Sequence, residues 1–373
     1  MLRTDTAATA TVRLIKQDSD PLMHYMSTNI LSEMITGAAS KRSNLALWAL
    51  DNLIWVMVAV AFVMFSILLP ETFTSYQNIE FMLYASAALG ALVLAESIAL
   101  LSGNFDLSIG SVAGFSSMFT ALFVTQWFPG TGGLVGILVI LAAGAFIGLV
   151  NGFAVGYLGI NPFLQTLGIY IMFRGAVVIL SPSTVAGLPE DYLFIGGGTL
   201  SAVPVIGSIG FLAGIPFAIV LILALFAGTW YVMNYTRIGL SILAVGGNED
   251  SAKAAGIPKE RVVLLVFMIS GLLSGLAGLL YTGYLTAATP TLARGELFPA
   301  FAAAVIAGIS LDGGRGDIKN AFGGLILLTM IKVGLVQLRV GAEEIQFVNG
   351  FVLLVAIYFY LFDSRLRERI VSK

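Results

Sequence analysis

Ten long apolar runs separated by short polar segments dominate this sequence. They lie near residues 48–69, 81–101, 107–127, 133–156, 162–180, 212–233, 260–286, 297–311, 318–338 and 346–362. Because a helix needs about 20 mostly apolar residues to cross the hydrocarbon core of a bilayer, the pattern predicts an all-α membrane protein with about ten transmembrane helices. The run near 297–311 is short, so we expect a broken or partly spanning helix there.

Composition supports this class and excludes several functions. Hydrophobic residues make up 58% of the chain and charged residues 11%, whereas soluble domains have about 45–50% and 25%. The net charge of −2 does not indicate the basic surface that nucleic-acid binding needs, so a nucleic-acid partner is not expected. With no Cys and one His, no metal site is expected. No Gly-Lys pair occurs, so this chain has no phosphate-binding loop of its own. We expect no catalytic residues and no enzymatic activity.

The basic residues predict which loops face the cytoplasm. Fifteen of the 19 Lys and Arg residues fall in the N-terminal tail, the segment 235–261, the segment 312–319 and the C-terminal tail. Because Lys and Arg concentrate on the cytoplasmic side, this distribution favours an even number of spans with both termini cytoplasmic. The chain is therefore predicted to be a multi-pass protein of the cell membrane.

Three regions are predicted along the chain. Residues 1–46 form a cytoplasmic tail. This tail is either a weakly ordered segment or a short helix in the membrane interface. The near-helical spacing of apolar residues that begins with Leu22, Met23 and Met26 supports the interfacial helix. Residues 47–362 form the transmembrane domain, and residues 363–373 form a C-terminal cytoplasmic tail. The longest external loop, 181–211, is expected to contain turns and a small hairpin.

The polar stretch 235–261, between the sixth and seventh apolar runs, predicts a short helix with both ends marked. Asn248 is a suitable N-cap, Glu249 and Asp250 place negative charge in the first turn, and Gly256 is a suitable C′ residue. The stretch is either an ordinary charged loop or a docking element for a soluble partner. We favour docking, with these residues involved: Gly246, Gly247, Asn248, Glu249, Asp250, Lys253 and Gly256.

Two links between apolar runs carry polar groups. Asn104, Asp106 and Ser108 join the second and third runs, where Asp106 is predicted to cap the third helix. Polar groups at such a break either cap a helix or border a permeation route. The second link, 312–317, contains Arg315 in a glycine-rich turn, and Asp317 is predicted to cap the next helix.

Three charged residues fall inside apolar runs. They are Glu96, Arg174 and Lys332. A charge within the membrane is costly, so each is a candidate functional residue. Glu96 either borders a polar path or is kept neutral by a neighbouring hydroxyl, and both Arg174 and Lys332 are candidate partners for it.

Glycines recur at a spacing of four residues, interrupted by Ile140, and a second group of glycines repeats this theme. They are Gly132, Gly136, Gly144, Gly148, Gly152 and Gly156, then Gly271 and Gly275 with Gly278 three residues further on. Small residues at this spacing let helix backbones approach closely in a membrane. The pattern predicts tight packing inside the bundle, with a contact between subunits as the alternative.

Several of these segments together resemble one family. The segments are NFDLSIGS, NGFAVGYLGINPFLQTLGIYIMFRG, TRIGLSILAVGGNEDSAKAAGI, SGLLSGLAG and ELFPAFAAAVIAGISLDGGRG. In this order and spacing, over roughly residues 50–362, they resemble the ribose-type sugar permeases of ATP-binding-cassette (ABC) importers. Glu96, Ala307-Gly308 and Asn104-Phe105 depart from the usual pattern of that family.

The resemblance implies a set of partners. A separate cytoplasmic ATPase would bind ATP and Mg, an extracytoplasmic binding protein would deliver a monosaccharide or similar solute, and a second permease copy or paralogue would complete the pathway in the lipid bilayer. Residues 246–256 match the family's coupling loop. Asp106, Ser108, Glu296 and Arg315 match motif positions, and together with Glu96, Asn104 and Arg174 they are the candidates for the pathway or its gate.

Two alternatives remain open at this point. One is a related ABC permease for branched-chain amino acids or nucleosides. The other is an ion-coupled secondary transporter, for which Glu96 would be the main ion-binding candidate.

Overall fold

The structure is a computed structural model that describes residues 52–202 and 213–371. The chain divides into two compact units, and the helices around the candidate site belong to the unit Ile54–Ser364. The N-terminal tail and its predicted interfacial helix lie outside the described residues. The boundaries of the three predicted regions stay predictions.

Helices account for the regular structure of the described residues, apart from two isolated β-bridges. In chain order they are α1 Leu53–Leu68, α2 Tyr76–Leu101, α3 Ile109–Leu122 with a π-helical turn Phe123–Trp127, α4 Gly133–Gly156, α5 Pro162–Leu180, α6 Glu190–Gly197, α7 Phe217–Tyr235, α8 Arg237–Gly247, α9 Glu249–Ala254, α10 Lys259–Leu285, α11 Leu297–Ile306, α12 Ile318–Gln337 and α13 Ala342–Val371. The all-α membrane class is confirmed.

Each predicted apolar run corresponds to a helix. Among the described residues, seven helices are long and apolar enough to cross a membrane: α2, α3 with its π-helical turn, α4, α5, α7, α10 and α12. The run near 297–311 is helical only over the ten residues of α11. At 1.5 Å per residue this gives a helix of about 15 Å, roughly half the hydrocarbon thickness, as the short run predicted.

Side chains at the helix ends explain where several helices begin. Ser75 accepts a hydrogen bond from the backbone N–H of Asn78 at the start of α2. Asn161 accepts from Phe163 and Leu164 at the start of α5, where Pro162 occupies the first turn. Asp317 accepts from the backbone N–H of Lys319 at 2.9 Å. The predicted capping role of Asp317 is therefore confirmed.

Helices α2, α3 and α10 form the centre of the unit. Buried residues make up 83% of the apolar window of α2 and 72% of that of α10, against 17% in α5 and 28% in α7. Helix α10 packs against α2, α3, α4 and α6. The outer helices therefore keep apolar surface for lipid or for another subunit, whereas the polar groups on the inner helices are enclosed by protein.

The glycine pattern packs α4 against α10. A Cβ on Gly144 would overlap the carbonyl oxygen of Gly271, and a Cβ on Gly271 would overlap that of Gly144. A Cβ on Gly148 would likewise overlap the carbonyl oxygen of Phe267. The prediction of tight packing within the bundle is confirmed for these glycines, because only glycine lets the two backbones touch.

The loop 181–211 differs from the prediction in its described part. Instead of a hairpin it contains helix α6, whose first turn carries Glu190 and Asp191. Asp191 accepts a hydrogen bond from the backbone N–H of Gly133 at 3.1 Å. Tyr192 is fully buried, and this burial raises the pKa of its hydroxyl. Burial of Tyr192 accompanies the packing of α6 against α4 and α10, a long-range contact that turn composition does not reveal.

Candidate functional site

A buried network of polar side chains surrounds Asp106. Its Oδ1 atom accepts hydrogen bonds from the backbone N–H of Ser108 at 3.0 Å and from the Ser108 hydroxyl at 2.5 Å. Its Oδ2 atom accepts from the Ser270 hydroxyl on α10 at 2.6 Å. Asp106 and Ser108 are each 1% exposed and Ser270 is fully buried. These donors compensate a carboxylate that burial would otherwise make costly.

The network continues to α4 and α5. Asn151 donates from Nδ2 to the Ser108 hydroxyl at 3.0 Å, and Gln165 donates from Nε2 to Oδ1 of Asn151 at 3.2 Å. Gln165 is only half-buried, so the chain of hydrogen bonds leads from the core toward the edge of the bundle. Side chains from the α2–α3 link, α4, α5 and α10 thus meet in one polar cluster.

The prediction that Asp106 caps α3 is wrong. The helix begins at Ile109, and Ser108 occupies the N-cap position without a side-chain capping bond. Asp106 instead accepts from Ser108 within the link and from Ser270 across the bundle. The local and the long-range donors use different oxygens, Oδ1 and Oδ2, so the Asp106 carboxylate serves both contacts at once. Asn104 has a local role, since its Nδ2 donates to the carbonyl oxygen and the hydroxyl of Ser102.

Glu96 lies on α2 with no exposed surface. Neither of its carboxyl oxygens has a hydrogen-bond partner in the structure. The two basic residues considered as partners for Glu96 bind elsewhere: Lys332 contacts Glu296, and Arg174 contacts backbone carbonyls. Their proposed pairing with Glu96 is therefore excluded.

Arg174 holds the segment that precedes α11. Its Nη1 atom donates to the carbonyl oxygen of Leu292 at 3.0 Å, and Nη2 donates to that of Ala293 at 2.7 Å. Nη2 also reaches the carbonyl oxygen of Gly110 at 3.3 Å. The guanidinium thereby ties α5 to α3 and to a loop in which Ala293 has a positive φ of 56°. Its charge is satisfied by carbonyl dipoles, which explains how a span tolerates it.

Glu296 and Lys332 form an ion pair between the start of α11 and α12. The Nζ atom of Lys332 lies 2.5 Å from Oε1 of Glu296. The Glu296 side chain is 13% exposed, and the Lys332 side chain is 37% exposed. Mutual compensation accounts for both charges in an otherwise apolar region.

The predicted coupling helix is present as α9. Asn248 is its N-cap, accepting from the backbone N–H of Ser251 at 2.8 Å. Glu249 and Asp250 lie in the first turn, and Gly256 adopts a positive φ of 79° just past the end. Lys253 lies in the last turn, where its charge complements the helix dipole. Most of α9 is exposed, so the helix presents a polar surface outside the bundle.

A second helix lies beside α9 that the sequence analysis missed. Helix α8 runs over Arg237–Gly247 and is capped by Thr236, which accepts from the backbone N–H of Gly239. Buried Ile242 and Val245 recur at a spacing of three, the available sequence signal for it. The polar stretch 235–261 therefore contains a pair of helices, with Gly246 and Gly247 at the end of the first and Asn248 between the two.

Glycines from two links meet a glycine at the end of α8. The backbone N–H of Gly314 donates to the carbonyl oxygen of Leu101 at 2.9 Å. A Cβ on Gly313 would lie 2.7 Å from the Cα of Gly103 and 2.7 Å from the carbonyl oxygen of Gly246. We call Gly103, Gly246, Gly313 and Gly314 the glycine junction. Arg315 is exposed beside it.

The structure adds residues to the predicted site and gives no metal cluster. The added residues are Ser270, Asn151, Gln165 and Lys332. Of these four, only Lys332 was noted from the sequence, as a charge within an apolar run. Among the described residues, no group of three or more His, Asp or Glu side chains could hold a metal ion. Hydroxyl and amide donors around one carboxylate are suited to hydrogen bonding with a polar solute, but the sequence gives no local signal that assembles them.

Comparisons with known proteins cover most of the chain. The family model described as branched-chain amino acid transport system / permease component matches residues 78–357. The D-allose transport system permease protein AlsC of Escherichia coli (strain K12) is 31% identical over 303 residues, which cover 81% of this chain and 88% of that protein. The ribose import permease protein RbsC of the same strain is 30% identical over 312 residues, 83% of this chain and 93% of that protein. The L-arabinose permease AraH is 29% identical over 321 residues, with coverage of 84% and 92%. No solved structure matches the chain.

Proposed function

Because this chain belongs to the family of permease components of branched-chain amino acid transport systems, we propose that it is the membrane-spanning subunit of an ABC importer for a monosaccharide. The observation that carries the proposal is the similarity to sugar permeases over more than four-fifths of the chain. In this role the protein is not an enzyme and resides as a multi-pass protein in the cell membrane. ATP and Mg bind to a separate ATPase.

The substrate class rests on the named relatives. The family description refers to branched-chain amino acids, whereas the relatives reported above are named for D-allose, ribose and L-arabinose. An uptake competition distinguishes these classes. Cells expressing the complete system take up labelled ribose, with unlabelled allose, arabinose, leucine or a nucleoside as competitor. We expect competition by sugars, and competition by leucine or the nucleoside alone would overturn the monosaccharide assignment.

The topology that best fits this role has ten spans and two cytoplasmic termini. Its support is the distribution of Lys and Arg, since 235–261 and 312–319 then lie on one side with both tails. The absence of native cysteine makes single-cysteine labelling direct. A cysteine at Asp250 should react only when the reagent reaches the cytoplasm, and a cysteine at Glu190 should react from outside. The reverse pattern would contradict the topology.

Helix α9 is the proposed docking element for the ATPase. Its exposed Asn248, Glu249, Asp250 and Lys253 form a rigid, capped surface. Replacing Glu249 and Asp250 by Lys reverses the favourable charge at the helix N-terminus and changes the surface. Co-purification of the ATPase should fall, while membrane insertion persists. Glu343→Lys with Glu344→Lys, in the exposed first turn of α13, is the matched charge control, and unchanged co-purification in the α9 variant would contradict docking.

The remaining partners complete the proposed importer. A binding protein delivers the sugar from outside, and a second permease copy or a paralogue encloses the pathway. The pathway candidates remain Glu96, Asn104, Asp106, Ser108, Arg174, Glu296 and Arg315, extended by Asn151 and Ser270. Purification of the tagged complex, followed by identification of the sugar held by the co-purified binding protein, tests these assignments together.

An ion-coupled transporter is the competing mechanism, and buried Glu96 is the observation that favours it. Proteoliposomes separate the two mechanisms. We expect uptake only with the ATPase, the binding protein and ATP present. Uptake by vesicles that contain this chain alone and follow a sodium or proton gradient would overturn the ABC proposal.

A further inference from the structure

The glycine junction connects three parts of the chain that have separate roles in the proposed importer. Gly246 closes α8 beside the coupling helix, Gly103 follows α2 in the link that leads to Asp106, and Gly313 with Gly314 precedes α12. The contacts between them are backbone to backbone, as the 2.9 Å hydrogen bond from Gly314 to Leu101 illustrates.

The junction has no room for a side chain. A Cβ on Gly246 would overlap the carbonyl oxygen of Leu101 and lie 2.8 Å from the backbone nitrogen of Gly314. Three of the glycines have positive φ angles: 75° at Gly103, 84° at Gly313 and 71° at Gly314. Glycine is thus required for close approach at Gly246 and for backbone conformation at the others. Such a contact transmits displacement directly, because no flexible side chain lies between the parts.

The path from the junction to the polar network is short in sequence. Two residues separate Gly103 from Asp106, which is anchored to Ser270 on α10 and Ser108 before α3. A shift of Gly246 pushes on Leu101 and Ser102, and these residues lead directly into the Asp106 link. The coupling helix therefore has a route to the polar network that does not pass along the length of α10.

We propose that the glycine junction relays movement of the coupling helix to the Asp106 network, and that Gly246 is a positioning residue for transport. This inference rests on the proposed function. It predicts that nucleotide-driven movement of α8 and α9 is always accompanied by movement of the segments around Leu101 and Gly314.

Hydrogen exchange of the complete importer tests the relay with the unchanged chain. Peptides that cover residues 99–106, 243–254 and 310–317 are compared between the nucleotide-free complex and the complex trapped with ATP and vanadate. We expect altered exchange in all three regions. The relay would be overturned if exchange in 99–106 and 310–317 did not change, whether or not it changed in 243–254.

Gly246→Ala tests the relay by function. Its matched control is Gly228→Ala on α7, because a Cβ on Gly228 meets no atom within 4 Å. The α9 surface is intact in both variants, so the ATPase should still bind. In Gly246→Ala we expect the amount of sugar transported per ATP hydrolysed to fall about tenfold, because crowding of backbone atoms disfavours one of the two conformations of the transport cycle. In Gly228→Ala this ratio should stay unchanged.

The outcomes separate the relay from the proposed function. An unchanged ratio of sugar to ATP in an assembled Gly246→Ala complex would overturn the relay. If that variant does not assemble, the hydrogen-exchange comparison decides, because it needs no substitution. Failure of the unaltered complex to transport any sugar would instead overturn the proposed function.

Discussion

The Oδ2 atom of Asp106 lies 2.6 Å from the hydroxyl of Ser270, a residue 164 positions later in the chain. This hydrogen bond joins the link between α2 and α3 to the middle of α10. Since both residues are buried, removal of Ser270 would leave Oδ2 of Asp106 without this donor, while Oδ1 would keep its hydrogen bonds from Ser108. The bond therefore fixes the position of the link as well as stabilising the carboxylate.

Ser270→Ala should lower the free energy of unfolding by about 1–3 kcal/mol, because it leaves Oδ2 of Asp106 without its donor. Chemical denaturation in detergent measures the effect. Ser66→Ala is the control, since the Ser66 hydroxyl donates to the carbonyl oxygen of Phe62 within its own helix. Equal losses in the two variants would argue against a special role for the Asp106–Ser270 bond.

Gly148→Ala and Gly168→Ala should shift stability in opposite directions. A Cβ on Gly148 overlaps the backbone of α10, so we expect a loss of about 1–3 kcal/mol. A Cβ on Gly168 meets no atom within 4 Å, and Ala favours the helix by about 1 kcal/mol over Gly. Unfolding curves of the two variants measure the difference. A stabilising Gly148→Ala would contradict the backbone contact.

Lys332→Met should leave the carboxylate of Glu296 uncompensated. We expect a loss of about 1–3 kcal/mol, below the 3–5 kcal/mol of a fully buried pair, because the Lys332 side chain is 37% exposed. Adding Glu296→Gln should restore part of the stability, with a coupling of at least about 0.5 kcal/mol. A double-mutant cycle measures this, and strictly additive effects would show that the two residues do not interact.

Gly256→Ala should weaken the end of the coupling helix through its backbone conformation alone. A Cβ there meets no atom within 4 Å, but the φ of 79° costs a non-glycine residue about 1 kcal/mol. Gly256→Asn should be milder, because Asn tolerates the left-handed conformation. The affinity of the ATPase for each variant checks this order. An Asn variant weaker than the Ala variant would contradict the capping explanation.

Glu96→Gln should preserve expression and stability, whereas Glu96→Lys should not. An ionised side chain without a partner is costly in the apolar core, and a neutral isostere avoids that cost. Yield and thermal stability of the purified protein provide the measurement. A Gln variant as unstable as the Lys variant would indicate that Glu96 carries a compensated charge.

Local sequence signals predicted the helices and several of their ends correctly. The apolar runs identify the positions of the long helices, and Asn248 and Asp317 cap the helices assigned to them. These features depend on residues close in sequence, where hydrophobic length and capping chemistry act directly. The glycine spacing also predicted close packing, although not which helix would be the partner.

Long-range partners could not be predicted in the same way. Asp106 was assigned to cap α3, but Ser108 is the N-cap residue, and Asp106 also accepts a hydrogen bond from distant Ser270 on α10. Lys332 was considered for Glu96, but it contacts Glu296, 36 residues away. Turns and a small hairpin were predicted where helix α6 lies, because the packing of this segment against α4 and α10 leaves no local sequence signal. Each of these depends on the arrangement of helices, which a single sequence does not specify.

The contact between α4 and α10 has a mechanical consequence. With backbones touching at Gly144, Gly148 and Gly271, the two helices cannot slide or separate by exchanging side-chain rotamers. The two helices therefore behave as one rigid body, in which α10, with 27 residues, is about 40 Å long. At one end of α10, Lys259 is 2.6 Å from Glu249 of α9. A tilt imposed there must reach the opposite membrane surface as a tilt of the whole rigid body, with both helices turning together.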